Sequence, residues 1–216
     1  MTILFDLDGT LIDSTEAILE SFYHTYGVFG MSHPAEGDIT KMIGHPLDVM
    51  YRDLGIKEEM VWDFVAEYKK HYRKISREKT FLLDYAHEAI VEAGRVAQLG
   101  IVTTKTARYS RELLEHFGVM HHFEVLIGRE DVENPKPHRE PVDKAIELLG
   151  CDRERCWLIG DTRLDAGSAN SAGIKCIGVT SGYDSAEQLS TLTGYIEKNA
   201  LEAVRYIVAN GENNTF

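Results

Sequence analysis

FDLDGT, residues 5–10, ends a short apolar run on two carboxylates and a glycine. Side chains alternate faces along a strand, so Asp6 and Asp8 share one face and Leu7 takes the other. Two like charges that close repel, and one of them is expected to hold its proton more tightly unless a cation intervenes. Residues 2–6 read as a buried strand, short and apolar, closed by Asp-Gly. A strand that stops on such a pair costs stability and is predicted to end at a site.

Downstream, STEAILESFYHTYG begins on a cap-like Ser14 or Thr15 and carries Ile18, Phe22 and Tyr26 at helical spacing. No strand pattern follows until about residue 80. Inside that stretch Val61, Phe64, Val65, Tyr68 and Tyr72 fall on one helical stripe, and the charges between them read as a solvated face. After residue 80 the pattern alternates. AHEAIVEAGRVAQLG, RYSRELLEHFG, EPVDKAIELLG, DAGSANSAG and LEAVRYIVANG read as helices, and GIVTT, FEVLIG, CWLIGD and KCIGV as strands. Strands alternating with helices predict an α/β fold with a parallel sheet covered on both faces. Residues 1–14 and 81–216 are predicted to form this core, and 15–80 an all-helical insert. The polar tail ENNTF is expected to fray. Ligands of open α/β sheets bind at the carboxyl ends of the strands, so an insert launched from that edge is placed to act as a lid.

The chain has 216 residues, a formal net charge of -12 and three cysteines. The acidic balance argues against nucleic acid and anionic membrane surfaces as partners. It leaves anionic substrates open, because a local metal or lysine reverses the field. Three scattered cysteines make no disulfide framework and no CxxC metal motif. With an opening that already reads as strand and no apolar run of membrane-spanning length, a reduced, cytoplasmic setting is expected.

Four strand ends carry chemistry. The first has Asp6, Asp8, Gly9 and Thr10, and the second Thr103, Thr104 and Lys105. Lys136 follows the third in NPKPHREP, and Asp161 and Asp165 follow the fourth in IGDTRLD. A parallel sheet gathers all of them at one rim. Hard carboxylate oxygens suit Mg2+. Lys136 and the Thr103 hydroxyl add donors, and Gly9 lets amides near Thr10 approach an anion closely. Together they describe a phosphate site, and phosphoryl transfer needs mainly positioning and charge neutralisation. The nucleophile is then Asp6 or water, and Asp8 can protonate a leaving oxygen and later deprotonate water. Lys105 reads as a surface lysine. Gly44, His45 and Pro46 read equally as a loop facing the site and as an ordinary turn. His121 and His122 read as loop or surface, and His138 as structural. The NNT at 213–215 carries no meaning in a cytoplasmic tail.

FDLDGTLIDS, GIVTTK, NPKPHREP and IGDTRLDAGSANSAG together resemble, in order and spacing, the four motifs of the haloacid dehalogenase superfamily. The resemblance implies a Rossmann-like three-layer core with a helical cap after the first strand, a Mg2+ cofactor and an aspartyl-phosphate intermediate. By matching position, Asp6 is the nucleophile and Asp8 the general acid/base. Thr103 and Lys136 bind the phosphoryl group, with Gly9, Thr10 and Thr104 beside them. Asp161 holds Mg2+ with Asp6 and the Asp8 carbonyl, and Asp165 supports that shell. The dehalogenases lack the second aspartate, and neither DKTGT pumps nor phosphonate-cleaving relatives fit DLDGT. The insert is similar to the cap of the phosphoglycolate phosphatases. VTTK, KPHREP and the cap element IGHPL are also similar to related inorganic pyrophosphatases, and the β-phosphoglucomutases share the layout. Arg139 stands where a second proline is frequent, and Thr104 where many phosphoglycolate phosphatases carry Asn. The expectation is a Mg2+-dependent phosphatase hydrolysing a small phosphomonoester such as phosphoglycolate. Its partner would be a small phosphorylated metabolite and its state a monomer or weak dimer. The alternatives are an inorganic pyrophosphatase, a β-phosphoglucomutase-like phosphotransferase and a non-enzymatic phosphate-binding sensor.

Overall fold

A computed structural model describes residues 1–211; the tail expected to fray, with its NNT, lies outside the described residues. Six strands form one parallel sheet: β1 (Thr2–Phe5), β4 (Gln98–Val102), β5 (Val125–Ile127), β6 (Cys156–Gly160), β7 (Lys175–Val179) and β8 (Ile196–Glu197). Their order is β5-β4-β1-β6-β7-β8, which puts the FDLDGT strand at the centre. Thr2 to Phe5 are all buried, as expected for a strand covered on both faces. Ile3 and Phe5 enter one core cluster and Leu4 the other. α5 (Ala86–Gly94), α6 (Ala107–His116) and α10 (Ala200–Gly211) cover the Phe5 face, and α7 (Glu140–Leu149) and α8 (Arg163–Ala172) the Leu4 face. The result is a three-layer, Rossmann-like α/β fold. Phe5 sits level with Ile101 of β4 and Ile159 of β6, so these three strands end at one rim.

The helical reading of 86–100 overruns. α5 stops at Gly94, and the N–H groups of Val96 and Ala97 close a turn on the Ala93 carbonyl. Leu99 then belongs to β4, paired with Ile3. Glycine is a poor helix residue, and pairing with the central strand overrides the weak helical pattern beyond it. A ribbon of β2 (Ile12–Asp13) against β3 (Phe81–Leu82) also escaped the sequence, as did β8 and α9 (Ala186–Ser190). Two-residue strands and a five-residue helix are too short to show a period.

Between the ribbon's strands lie α1 (Thr15–Val28), α2 (Glu36–Thr40), α3 (Leu47–Asp53) and α4 (Glu58–Ile75). They surround a third cluster of their own, the cap core. Its centre is aromatic: Tyr51 stands 4.8 Å from Phe22 and 5.3 Å from Phe64 between ring centroids. The α4 stripe of Val61, Phe64, Val65, Tyr68 and Tyr72 is the buried face of that helix. Among the described residues no helix is long and apolar enough to cross a membrane.

Candidate active site

Asp6 follows β1 directly, and Asp161 follows β6, so the matched strand ends deliver both to one place. Asp165 reaches it from the first turn of α8. Its Oδ2 accepts the N–H of Thr162 (3.0 Å) and the Thr162 hydroxyl (2.7 Å), which caps the helix and fixes the carboxylate. Asp6, Asp161 and Asp165 are all buried, and each offers an oxygen within 4.8 Å of the others. Lys136 is buried beside them. Its Nζ lies 2.8 Å from Asp6 Oδ1, contacts Asp165 Oδ1 and donates to the Val102 carbonyl at 3.1 Å. The Asp6 contact is an ion pair without hydrogen-bond alignment, and Oδ1 has no hydrogen-bond partner among the described residues.

The chain closes tightly around this trio. A Cβ on Gly9 would fall 2.3 Å from Asp161 Oδ2, and one on Gly182 would fall 2.0 Å from the same atom. Thr10 donates its hydroxyl to Asp161 Oδ1 at 3.0 Å, and Tyr183 N–H donates to Oδ2 at 2.9 Å. Thr10 thus secures a carboxylate. Of the amides near Thr10, two are held inside the turn. Gly9 N–H donates to Ile12 O at 2.8 Å, and Thr10 N–H to Leu7 O at 3.3 Å. The turn folds those donors inward, and the unpaired amides here are those of Leu7 and Asp8 among the described residues.

Burial pushes Asp6 up to about 7, with Asp165 adding to the rise and Lys136 opposing it. Burial, then Asp165 and Asp6, also hold Asp161 well above the ordinary carboxylate range. Asp8 adds least to the Asp6 shift, and its own charge is matched. Lys105 Nζ sits 3.0 and 2.9 Å from the two Asp8 oxygens, and Ser14 donates to Oδ1. Lys105 is therefore no surface lysine: its side chain is 10% exposed and its ammonium lies 4.8 Å from the Tyr72 ring centre. Burial alone would lower the pKa of Lys105, but Asp8 and Tyr72 outweigh it and keep the lysine charged. Asp6 and Asp8 share the rim, each beside its own lysine.

Thr103 is buried, and its Oγ1 accepts Lys105 N–H at 3.2 Å. Thr104 donates its hydroxyl at 2.8 Å to the carbonyl of Gly44, which ties core to cap. The Lys136 loop is held without the missing proline at Arg139. Ser168 donates to His138 O at 2.7 Å, and Pro137 seats against Gly167, where a Cβ would come within 2.9 Å. Gly44 and His45 line a cavity of about 270 Å³ between cap and core, with Asp8, Thr104 and Lys105 at its base. Lys105 stood with Thr103 and Thr104 at its strand end as a weak candidate only, and Ser14, Gly182 and Tyr183 were missed as site residues. Lys105 directly follows Thr103-Thr104, a signal that was available. Gly182 and Tyr183 gave none, because they lie beyond a strand end without a charged side chain.

The donor set can be tested for a metal. Three buried carboxylates face one buried ammonium, so with all three ionised two negative charges are left among hard oxygens. An isolated buried anion pair is costly, and a divalent oxygen-seeking cation fits both its charge and its chemistry.

Residues 3–179 match the family model described as haloacid dehalogenase-like hydrolase. The chain is 34% identical over 175 residues to Pyrophosphatase PpaX of Halalkalibacterium halodurans, covering 81% of this chain and 80% of that one. It is 35% identical over 185 residues to Pyrophosphatase PpaX of Bacillus pumilus, with 82% of each covered. Among solved structures, a haloacid dehalogenase-like hydrolase from Bacteroides fragilis superposes with a TM-score of 0.89 at 28% identity, covering 94% of this chain and 98% of that chain.

Proposed function

The chain belongs to the haloacid dehalogenase-like hydrolases, and from that membership we propose that it is a Mg2+-dependent phosphatase cleaving a small phosphomonoester through a phosphoryl group carried on Asp6. The buried trio with its two unmatched charges beside Lys136 supports this reading most directly. Mg2+ would be held by Asp6, Asp161 and the Asp8 carbonyl, with Asp165 in support, and would supply positive charge where a phosphoryl group meets Asp6. An Asp6 oxygen attacks phosphorus, the bond from phosphorus to the leaving oxygen breaks, and Asp8 gives that oxygen its proton. Water then attacks phosphorus and its proton goes to Asp8. The bond to Asp6 breaks, returning the carboxylate and releasing inorganic phosphate. Lys136, the Thr103 hydroxyl and the unpaired amides of Leu7 and Asp8 are suited to orient the phosphoryl oxygens. The substrate would be a cytoplasmic metabolite, and the enzyme a monomer or weak dimer.

The names of the two curated relatives support a second reading, in which the leaving group is itself phosphate. Phosphate release from p-nitrophenyl phosphate, glycolate phosphate, pyrophosphate and glucose 1-phosphate, with Mg2+ and with EDTA, tests both. Hydrolysis that requires Mg2+ and is lost in Asp6→Asn is expected. Turnover undiminished by EDTA or by that substitution sinks the mechanism. A hexose bisphosphate product would mark a phosphotransferase, and binding without turnover a sensor.

A further inference from the structure

The reaction described above uses only the base of the cap–core cavity, where Lys105 matches Asp8. The leaving group must occupy the rest of that space, about 270 Å³ in all. Two further cations line it, one from each side. Arg129 lies just beyond β5, and its N–H donates to the Lys105 carbonyl at 3.0 Å, which fixes it to the loop carrying Thr103 and Thr104. Lys69 comes from α4 in the cap. Both are half-buried, and among the described residues neither forms an ion pair. Arg129 also lacks an acceptor. Its NH1 donates to the Val132 carbonyl at 3.1 Å, but Nε is buried with no hydrogen-bond partner among the described residues. A half-buried charge without a counter-charge and a buried donor without an acceptor both cost stability.

The carboxylates of the lining do not cancel these cations. Asp8 is taken by Lys105, and Asp48 accepts from Arg52 at 2.6 Å. Glu130 is exposed and accepts the Ala107 N–H at 2.9 Å, so it offsets at most one of the two positive charges. An anion drawn between Arg129 and Lys69 would supply the charge and the acceptor that the folded chain leaves out. The order of residues along α4 says how far from the reacting oxygen it would sit. Tyr72 covers Lys105 at the base, Lys69 stands three residues before it, and Trp62, 59% exposed, marks the mouth. Three residues of helix rise about 4.5 Å, a gap for a few carbon atoms. Ile43, Leu47, Met50 and Val65 line the cavity with apolar surface that suits such a body.

We propose that the substrate is the phosphate monoester of an alcohol whose short carbon body ends in a second anionic group, carboxylate or phosphate, held between Arg129 and Lys69. This rests on the phosphatase reading above and makes those two residues the determinants of specificity. The overall change is ester plus water to the anionic alcohol plus inorganic phosphate, with the phosphorus–oxygen bond cleaved.

The test is phosphate release by the full chain with Mg2+ on two pairs of esters. One pair is the phosphate ester of γ-hydroxybutyrate and that of its amide, which has the same shape without the charge. The other is propanediol bisphosphate and propyl phosphate. The charged member of at least one pair should be favoured about tenfold or more in kcat/KM, and the pair that responds identifies the anion as carboxylate or phosphate. Arg129→Gln and Lys69→Gln should each bring that ratio towards one, chiefly by raising KM for the charged member. Arg129→Lys keeps the charge and should retain more of the ratio than Arg129→Gln. Both members of a pair are measured on one preparation, so a loss of folded protein cancels in the ratio. Ratios near one in the wild type, a preference unchanged in both Gln variants, or pyrophosphate outpacing every ester overturns the inference while leaving the hydrolase intact. No turnover of any of these compounds or of p-nitrophenyl phosphate removes the phosphatase reading and the inference together.

Discussion

At the scale of single residues, Asp6 and Asp8 show how two carboxylates two positions apart take different characters. Asp6 is buried against Asp165 and pushed up to about 7, whereas Asp8 is matched by Lys105. For Asp6 the folded-state value lies above its ordinary 3.8. The metal-free folded protein therefore keeps a proton that the unfolded chain has already lost. The stability this group contributes is present below its ordinary pKa and is lost as pH rises through its folded value. Asp6→Asn cannot ionise and should lack that slope. In EDTA, urea unfolding at pH 5 and at pH 8 should show the variant gaining on the wild type as pH rises, with activity abolished at both. A stability gap that does not change with pH would place the charge of Asp6 elsewhere. Both carboxylates were legible because the DxD spacing is local. The burial of Lys105 was not, because the ring that covers it, Tyr72, sits on a helix whose distance in space the sequence does not state.

At the scale of elements, the strands that carry the site were legible as near-continuous apolar runs: β1, β4, β6 and β7 are buried along almost their whole length. The ends of α5 and the β2–β3 ribbon were not, since tertiary pairing sets them and no period precedes them. What the strand ends require is close approach, and Gly9 measures it. Its φ is +82, and an added Cβ would meet Asp161. Gly118 has a comparable φ of +71 but open space around it. Gly118→Ala should therefore cost only the backbone strain, about 1–2 kcal/mol. Gly9→Ala should cost more than that, because Asp161 must also move, and it should remove activity where Gly118→Ala does not. Urea midpoints and phosphate release on the two variants check this. Equal costs would mean that the Gly9 turn is not pressed against the trio.

At the scale of the whole molecule, cap and core each keep their own apolar cluster. Polar contacts such as Thr104 to Gly44 and Thr15 to Tyr183 (3.0 Å) join them beside the site. The chain's formal net charge of -12 includes two at the site that, with the trio ionised, Lys136 leaves unmatched. Two effects of added salt must then be told apart. Screening acts on exposed charge and depends on ionic strength alone. Binding at the trio acts through mass action and depends on the ion. At Mg2+ one hundred times its Kd, a folded-state site adds about 2.7 kcal/mol, a rise of roughly 5–11 °C in Tm for a chain of this size. Thermal unfolding in EDTA, with Mg2+, and with NaCl at matched ionic strength separates the two. Only Mg2+ should raise Tm by that amount, and Asp161→Asn should lose most of the rise. If NaCl reproduces the shift in full, the stabilisation belongs to the surface charge, and the trio is not a metal site.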